Sequence, residues 1–449
     1  MITERTACAR KRAGSAISFI HAKNSLGRAP SGGPAPGQVG MRHRDRGSDM
    51  DAQGAVMEKT RPGRLAYLDN LRWFIIILVV LMHLNVTYGG NGLWYYKEEA
   101  GYGPLSGLLF GLYGSLTQAW FMGLLFFISG YLVPDSLERK GVQPFIRGRL
   151  VRLGIPMLAY VAVIHPLTIW IAGFAAGGEP DMAAWYGHYV VSLDFLSSLG
   201  PLWFLMVLLI LSVAYALWWA FFGQPAPRAQ TPVKVRHLWL AGLAMVIAIA
   251  AFLLRVVEPA GAQFIKPLPG NFMQVGFFAS YVVLFVVGIL CRTHDLLDGI
   301  GYRFGMRWFW WTLILGIPIW FLGIPASAIA AEARGGVPDI GAFFGGFRWQ
   351  SAFYATWEAF FCVGISLGLI VLFREKFNAE GRLARFLSQN YFGVYVIHPP
   401  IIVVGAILVR GVEAPALLKM YVMAVLLVPL AFLVSHGLRQ VPVIRRYFS

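Results

Sequence analysis

Ten apolar stretches dominate the chain between residues 70 and 437. They run roughly 70–88, 117–134, 151–175, 200–222, 238–257, 272–290, 308–329, 351–373, 389–410 and 416–437. Most are near 20 residues, and at about 1.5 Å per residue such a helix crosses a hydrocarbon core about 30 Å thick. Open strands cannot leave their backbone groups unpaired in lipid, and none of these runs alternates as a barrel strand would. The expected fold is therefore all-α: a polytopic membrane bundle of about ten transmembrane helices. Composition agrees, with 57% apolar and only 13% charged residues, where a soluble domain carries about 25% charged.

The formal charge of +16 raises nucleic acid as a partner, but its distribution points elsewhere. With the N-terminus placed in the cytoplasm, 31 of the 38 Lys and Arg residues fall in cytoplasmic segments and 7 in exterior ones. That is the positive-inside pattern, and it puts both termini in the cytoplasm, with no call for nucleic acid. Residues 1–63 are basic and rich in Gly, Pro and Arg. They cannot build a core and read as a disordered N-terminal segment with no secretory signal, in which Met41, Met50 and Met57 are candidate alternative starts. A membrane domain follows over 64–440, then a short cytoplasmic tail, 441–449. Cys8, Cys291 and Cys362 lie far apart without a CxxC pair, so neither a disulfide framework nor a metal site is expected. Two exterior segments exceed tight turns: 89–116, rich in Gly, Trp and Tyr and suited to an interfacial helix, and 176–199, which holds acidic residues and no Lys or Arg.

Ionisable residues inside apolar runs are costly and mark function by default. His83 follows ten residues without a polar side chain, Trp73 to Met82, and lies roughly 16 Å beyond Arg72 along a helix. His398, ahead of Pro399 and Pro400 in the ninth stretch, reaches about the same depth from the same side. The two prolines free backbone carbonyls near that level. Glu358 in the eighth stretch should face the interior with a partner. His165 in the third lies nearer the exterior. Each has a structural alternative: Arg72 as a snorkelling interface residue, the histidines as interhelical hydrogen-bonding groups, and Glu358 as the partner of a histidine or an arginine. Arg149 and Arg152, three apart with Arg147 beside them, share a helix face at the cytoplasmic surface. They serve either as positive-inside anchors or as a seat for an anionic phosphate ligand. Gly364-Ile365-Ser366-Leu367-Gly368 fits the GxSxG pattern of serine hydrolases but sits within an apolar helix, where it reads as a small-residue packing face. No nucleotide P-loop occurs, and no histidine is followed by the aspartate of an HxxxxD acyltransferase signature.

Taken together, the boxes resemble the acyltransferase 3 family of integral membrane acyltransferases, in particular its glucan-modifying branch and related unassigned bacterial members. The boxes are Leu68-Asp69-Asn70-Leu71-Arg72 with His83 eleven residues on; Phe126-Phe127-Ile128-Ser129-Gly130-Tyr131-Leu132; Arg149-Leu150-Val151-Arg152-Leu153-Gly154-Ile155-Pro156; Pro201-Leu202-Trp203-Phe204-Leu205; and Tyr391-Phe392-Gly393-Val394-Tyr395 with His398-Pro399. They follow the family's order from residue 64 to about 440.

The resemblance implies transfer of an acyl group, often acetyl or succinyl, from cytoplasmic acyl-CoA to a hydroxyl of a saccharide, glycan or glycolipid. The setting would be the bacterial inner membrane. No tightly bound cofactor is expected, acyl-CoA being a substrate. The SGNH domain fused to some relatives is not expected here. In that reading His83 is the catalytic base or acyl carrier, Arg72 orients donor or carboxylate groups, and His398 and Glu358 assist. Arg149, Arg152 and Arg147 hold the CoA phosphates, while Trp203, Tyr391 and Tyr395 line the sugar site. The rival is a proton-coupled transporter or permease, which midplane ionisable groups and proline-interrupted helices would also suit. Against it stands the lack of a two-half repeat. A passive scaffold would have no use for three buried ionisable groups.

Overall fold

A computed structural model describes residues 65–447, apart from residues 91, 99–100, 179–180, 198, 224–232 and 262–273. The expectation of a disordered segment over 1–63 lies outside the described residues. The described chain is helical and contains no strand. Its principal helices, numbered here in chain order, are α1 (Ala66–Gly89), α2 (Pro104–Gln118), α3 (Phe121–Lys140), α4 (Val142–Ala175), α5 (Met182–Val191), α6 (Trp203–Phe222), α7 (His237–Val257), α8 (Phe278–Thr293), α9 (Tyr302–Ala333), α10 (Trp349–Lys376), α11 (Arg382–Leu408) and α12 (Ala416–Leu438).

Ten segments of the described chain are long and apolar enough to cross a membrane, each coinciding with one of the ten stretches in the sequence. The segment 89–116 leads into α2. That helix meets α3 almost end to end, with Ala119 and Trp120 at the joint. The segment 176–199 contains α5, whose first turn is capped by Asp181 through the N–H groups of Ala183 and Ala184. The short tail carries one further helix, Pro442–Tyr447.

Helix α10 is the most buried of the spans, with α7, α9 and α1 packed around it. Its contact with α9 is made by small residues. A Cβ on Gly364 would overlap the Thr312 side chain, one on Gly368 would overlap Phe309, and from the other side Gly316 receives Phe361. The GxSxG string is thus a packing face, as its position in an apolar helix predicts. Helices α3 and α8 approach more closely still, since Gly130 abuts the Phe285 carbonyl and Gly288 the Phe127 carbonyl. The large apolar side chains left exposed, among them Leu158, Ile210, Phe221, Ile314 and Val425, face away from this core, as a surface surrounded by lipid requires.

Helix α4 is not regular. Two π-helical stretches, Leu150–Gly154 and Tyr160–Ile164, each precede a proline by two residues, at Pro156 and Pro166. A proline contributes no N–H to the i→i−4 ladder, and a widened turn absorbs the missing bond. The Leu68-Asp69-Asn70-Leu71 box fastens the start of α1 to the α10–α11 connection. Leu68 and Leu71 are buried, and Asn70 Nδ2 donates to the carbonyls of Phe377 (2.7 Å) and Ala379 (3.1 Å).

Candidate active site

The two deep histidines meet. His83 on α1 and His398 on α11 stand 315 residues apart in sequence, yet His398 Nε2 lies 3.1 Å from His83 Nδ1. The similar depths reckoned from the sequence become a contact because α1 and α11 pack side by side and enter the bundle from the same end.

The proton positions follow from the backbone beside them. In a regular helix the Tyr395 carbonyl would accept from the N–H of residue 399, but residue 399 is proline. The freed carbonyl lies 2.8 Å from His398 Nδ1, and the Val394 carbonyl is 3.3 Å from the same nitrogen. A carbonyl only accepts, so Nδ1 of His398 carries a proton. In the neutral ring, Nε2 is then an acceptor, and the proton shared with His83 belongs to His83 Nδ1. That leaves His83 Nε2 an acceptor without a hydrogen-bond partner among the described residues. These assignments are inferred from the hydrogen-bond network. His398 is fully buried, whereas His83 keeps an exposed edge. The pair is therefore a front imidazole with a free lone pair and a rear imidazole that fixes its tautomer.

A tryptophan that sequence reasoning did not single out completes the pair. Trp94 lies in the segment after α1, and its ring stacks on His83 with centroids 4.0 Å apart and planes 22° apart. It is nearly parallel to His398 as well, at 6.1 Å and 13°. An electron-rich ring face over an imidazole stabilises the protonated form, a cation–π contact. The only sequence signal was the Trp and Tyr content of 89–116.

Glu358 is buried and paired, as a carboxylate in an apolar span must be, and of the two expected partner types, histidine or arginine, it takes an arginine. Arg255, in the last turn of α7, donates through Nη2 to Glu358 and through Nε to the Gly276 carbonyl at 3.0 Å. Its guanidinium is fully buried between the rings of Phe277 and Tyr354.

The other candidates divide between two places. Trp203 stacks on Tyr281 (5.4 Å) and Phe278 (6.0 Å) at the start of α6. Tyr395 is fully buried, with its hydroxyl donated to the Pro201 carbonyl and its ring 6.1 Å from that of His398. Tyr391, four residues earlier on α11, is half-buried and makes no hydrogen bond to the pair. Arg72 sits eleven residues below His83 and salt-bridges Asp69 at 3.1 Å. It belongs to a cationic end of the bundle, where Arg152 and Arg72 lie within electrostatic reach of Arg149. The Arg149 guanidinium rests over the Phe145 ring at 5.0 Å, half-buried, while Arg147 and Arg152 are exposed. Among the described residues no group of three or more His, Cys, Asp or Glu side chains could hold a metal ion.

Ten helices long and apolar enough to cross a membrane, packed around the histidine pair, make this a multi-pass membrane protein. A family model described as an acyltransferase domain matches residues 65–436, and the chain belongs to the acyltransferase 3 family. It is similar to proteins named glucans biosynthesis protein C. The one from Salmonella schwarzengrund is 26% identical over 238 residues, which is 51% of this chain and 58% of that protein. Those from Salmonella typhi and Salmonella paratyphi B are 25% identical over the same shares. The alignments thus take in somewhat over half the length of these relatives.

Proposed function

We propose that the protein is an O-acyltransferase of the bacterial inner membrane that moves an acyl group from acyl-CoA to a hydroxyl of a saccharide. A glucan is the acceptor class favoured by the names of its relatives. The observation that carries the reading is the bare Nε2 of His83, set up by the contact of its Nδ1 with His398. The cationic end faces the cytoplasm, where Arg149 and Arg152, with Arg147, hold the CoA phosphates. The pantetheine arm then runs along α1, and the roughly 16 Å between Arg72 and His83 matches a donor whose phosphates and thioester lie far apart.

As the acceptor oxygen attacks the thioester carbonyl, its proton passes to His83 Nε2. The new O–C bond forms, the C–S bond breaks, and the proton is returned to the departing thiolate. His398 keeps the His83 ring in the productive tautomer and accepts from Nδ1 while the imidazolium lasts, and Trp94 faces that charge. Arg72 lies too far down the helix to touch the reacting atoms and acts at the donor end. Trp203 stands at the mouth of α6 as a sugar-facing ring, while the buried Tyr395 supports His398 from behind.

The test is transfer of labelled acyl groups from acyl-CoA to glycan in membranes, with His83→Ala as the control. Uptake without transfer would mean a transporter instead. Orientation has its own test. In a cysteine-free background, Ser192→Cys should react with an impermeant thiol reagent in intact cells and Gln143→Cys should not. The opposite pattern would remove the arginines from the CoA side.

A further inference from the structure

The segment 92–98, which carries Trp94, is fastened to three different helices. At its near end Gly90 closes α1 in the left-handed region (φ 69°), its N–H bonded to the Val86 carbonyl at 3.0 Å. Tyr95, the next residue after Trp94, reaches α4: its hydroxyl lies 2.7 Å from Tyr160 Oη and 2.7 Å from His165 Nδ1. Burial holds the Tyr95 phenol protonated well above its ordinary range, so the hydroxyl keeps a proton for this network. At the far end the Glu98 N–H donates to the Thr87 carbonyl at 2.9 Å, and the Glu98 carboxylate meets Lys419 Nζ of α12 at 2.5 Å. Both members of that ion pair are more than nine-tenths buried. Between these anchors the Trp94 ring lies flat on His83, itself only 9% exposed.

A buried Lys–Glu pair is a poor source of stability, because taking both charges out of water offsets most of their attraction; its best-attested use is to fix one arrangement over others. Here the fixed arrangement is a ring over the only imidazole of the pair with a free lone pair. A base that can activate a hydroxyl can equally activate water. Water added to a thioester gives a carboxylic acid and a thiol: its oxygen bonds the carbonyl carbon, its proton passes through His83 to the departing sulfur, and the acyl group is lost. Excluding water from such a site prevents this side reaction.

We propose that residues 92–98 form a fixed roof over the histidine pair, with Tyr95, Glu98 and Lys419 as positioning residues that hold Trp94 on His83, so that a bound acyl thioester is transferred rather than hydrolysed. The inference rests on the acyltransferase reading above and extends it to the choice between acceptor and water.

The experiment measures two rates in purified full-length protein in nanodiscs: CoA release from acyl-CoA without acceptor, and acyl transfer with acceptor. Trp94→Ala, and the double variant Glu98→Gln with Lys419→Met, are each expected to raise the ratio of hydrolysis to transfer about tenfold, equivalent to ~1.4 kcal/mol between the two barriers. Trp94→Phe, which keeps a ring, and Lys419→Arg, which keeps the pair, are expected to stay near the parent ratio. Tyr95→Phe removes one hydroxyl and little else, so it reports even where a larger change hinders folding, and its ratio should rise by a smaller factor. A purely structural role would lower both rates and the yield together, leaving the ratio unchanged, and that result in folded Trp94→Ala or Tyr95→Phe protein overturns the roof. The acyltransferase reading fails separately, if His83→Ala transfers at the parent rate.

Discussion

One end of α1 carries Arg72, beside a half-buried Arg149 and an exposed Arg152. The other carries His83, stacked and hydrogen-bonded among groups that are nearly all buried. The same helix thus brings like charges together where water can screen them, and places a hydrogen-bonded histidine pair where it cannot. A cluster of three arginines, of which only Arg72 pairs with a carboxylate among the described residues, suits a polyanion arriving from water. A dry imidazole with one free lone pair suits proton transfer, since its basicity is not spent on solvent. In the proposed reading, distance along the helix separates binding from chemistry, and the two ends should therefore fail in different ways when altered.

The largest effect is expected at the dry end. His83→Ala should reduce acyl transfer by about two to four orders of magnitude, the usual contribution of a general base, with the protein still inserted and at normal membrane levels. Transfer near the parent rate would dissolve the distinction between the ends. His398→Ala should be milder, costing about 10- to 100-fold in kcat as partners that orient a working ring commonly do, with little change in KM for acyl-CoA. If it raised that KM instead, His398 would belong to donor binding.

At the wet end the expectation reverses. Arg149→Ala and Arg152→Ala should each raise KM for acyl-CoA about tenfold, or ~1.4 kcal/mol, and leave kcat within a small factor. Raising the ionic strength should imitate these variants in the parent protein, because exposed charges are screened within about 10 Å at 0.1 M salt. Activity insensitive to salt, with an unchanged KM, would move the phosphate seat elsewhere. The smallest effect concerns the basic N-terminal segment. A chain starting at Met57 should insert and turn over as the full chain does, with the same KM for acyl-CoA. A higher KM would make that segment part of the cationic end.

The sequence by itself determined the ten spans, because a run of about 20 apolar residues meets the demands of a bilayer without reference to the rest of the chain. It determined the depths of His83 and His398, because helical rise is constant. It also determined the freed carbonyl below His398, because Pro399 removes an N–H wherever it stands. The Gly364–Gly368 face was legible for the same reason: small residues at helical spacing invite a neighbour.

Tertiary structure alone decided which groups meet. Glu358 had several candidate partners, and only the packing of α7 on α10 gave it Arg255. His83 and His398 could have reached one depth on opposite sides of the bundle; the adjacency of α1 and α11 brought their nitrogens to 3.1 Å. Trp94 carries no spacing that marks it, since a connecting segment has no periodicity to read. Its place over His83 is set by bonds from Tyr95 to α4 and from Glu98 to Lys419, which lies 321 residues away. Local rules fix where a helix runs and how deep a side chain lies. Contact across hundreds of residues depends on which helices share a face, which is a property of the packed bundle as a whole.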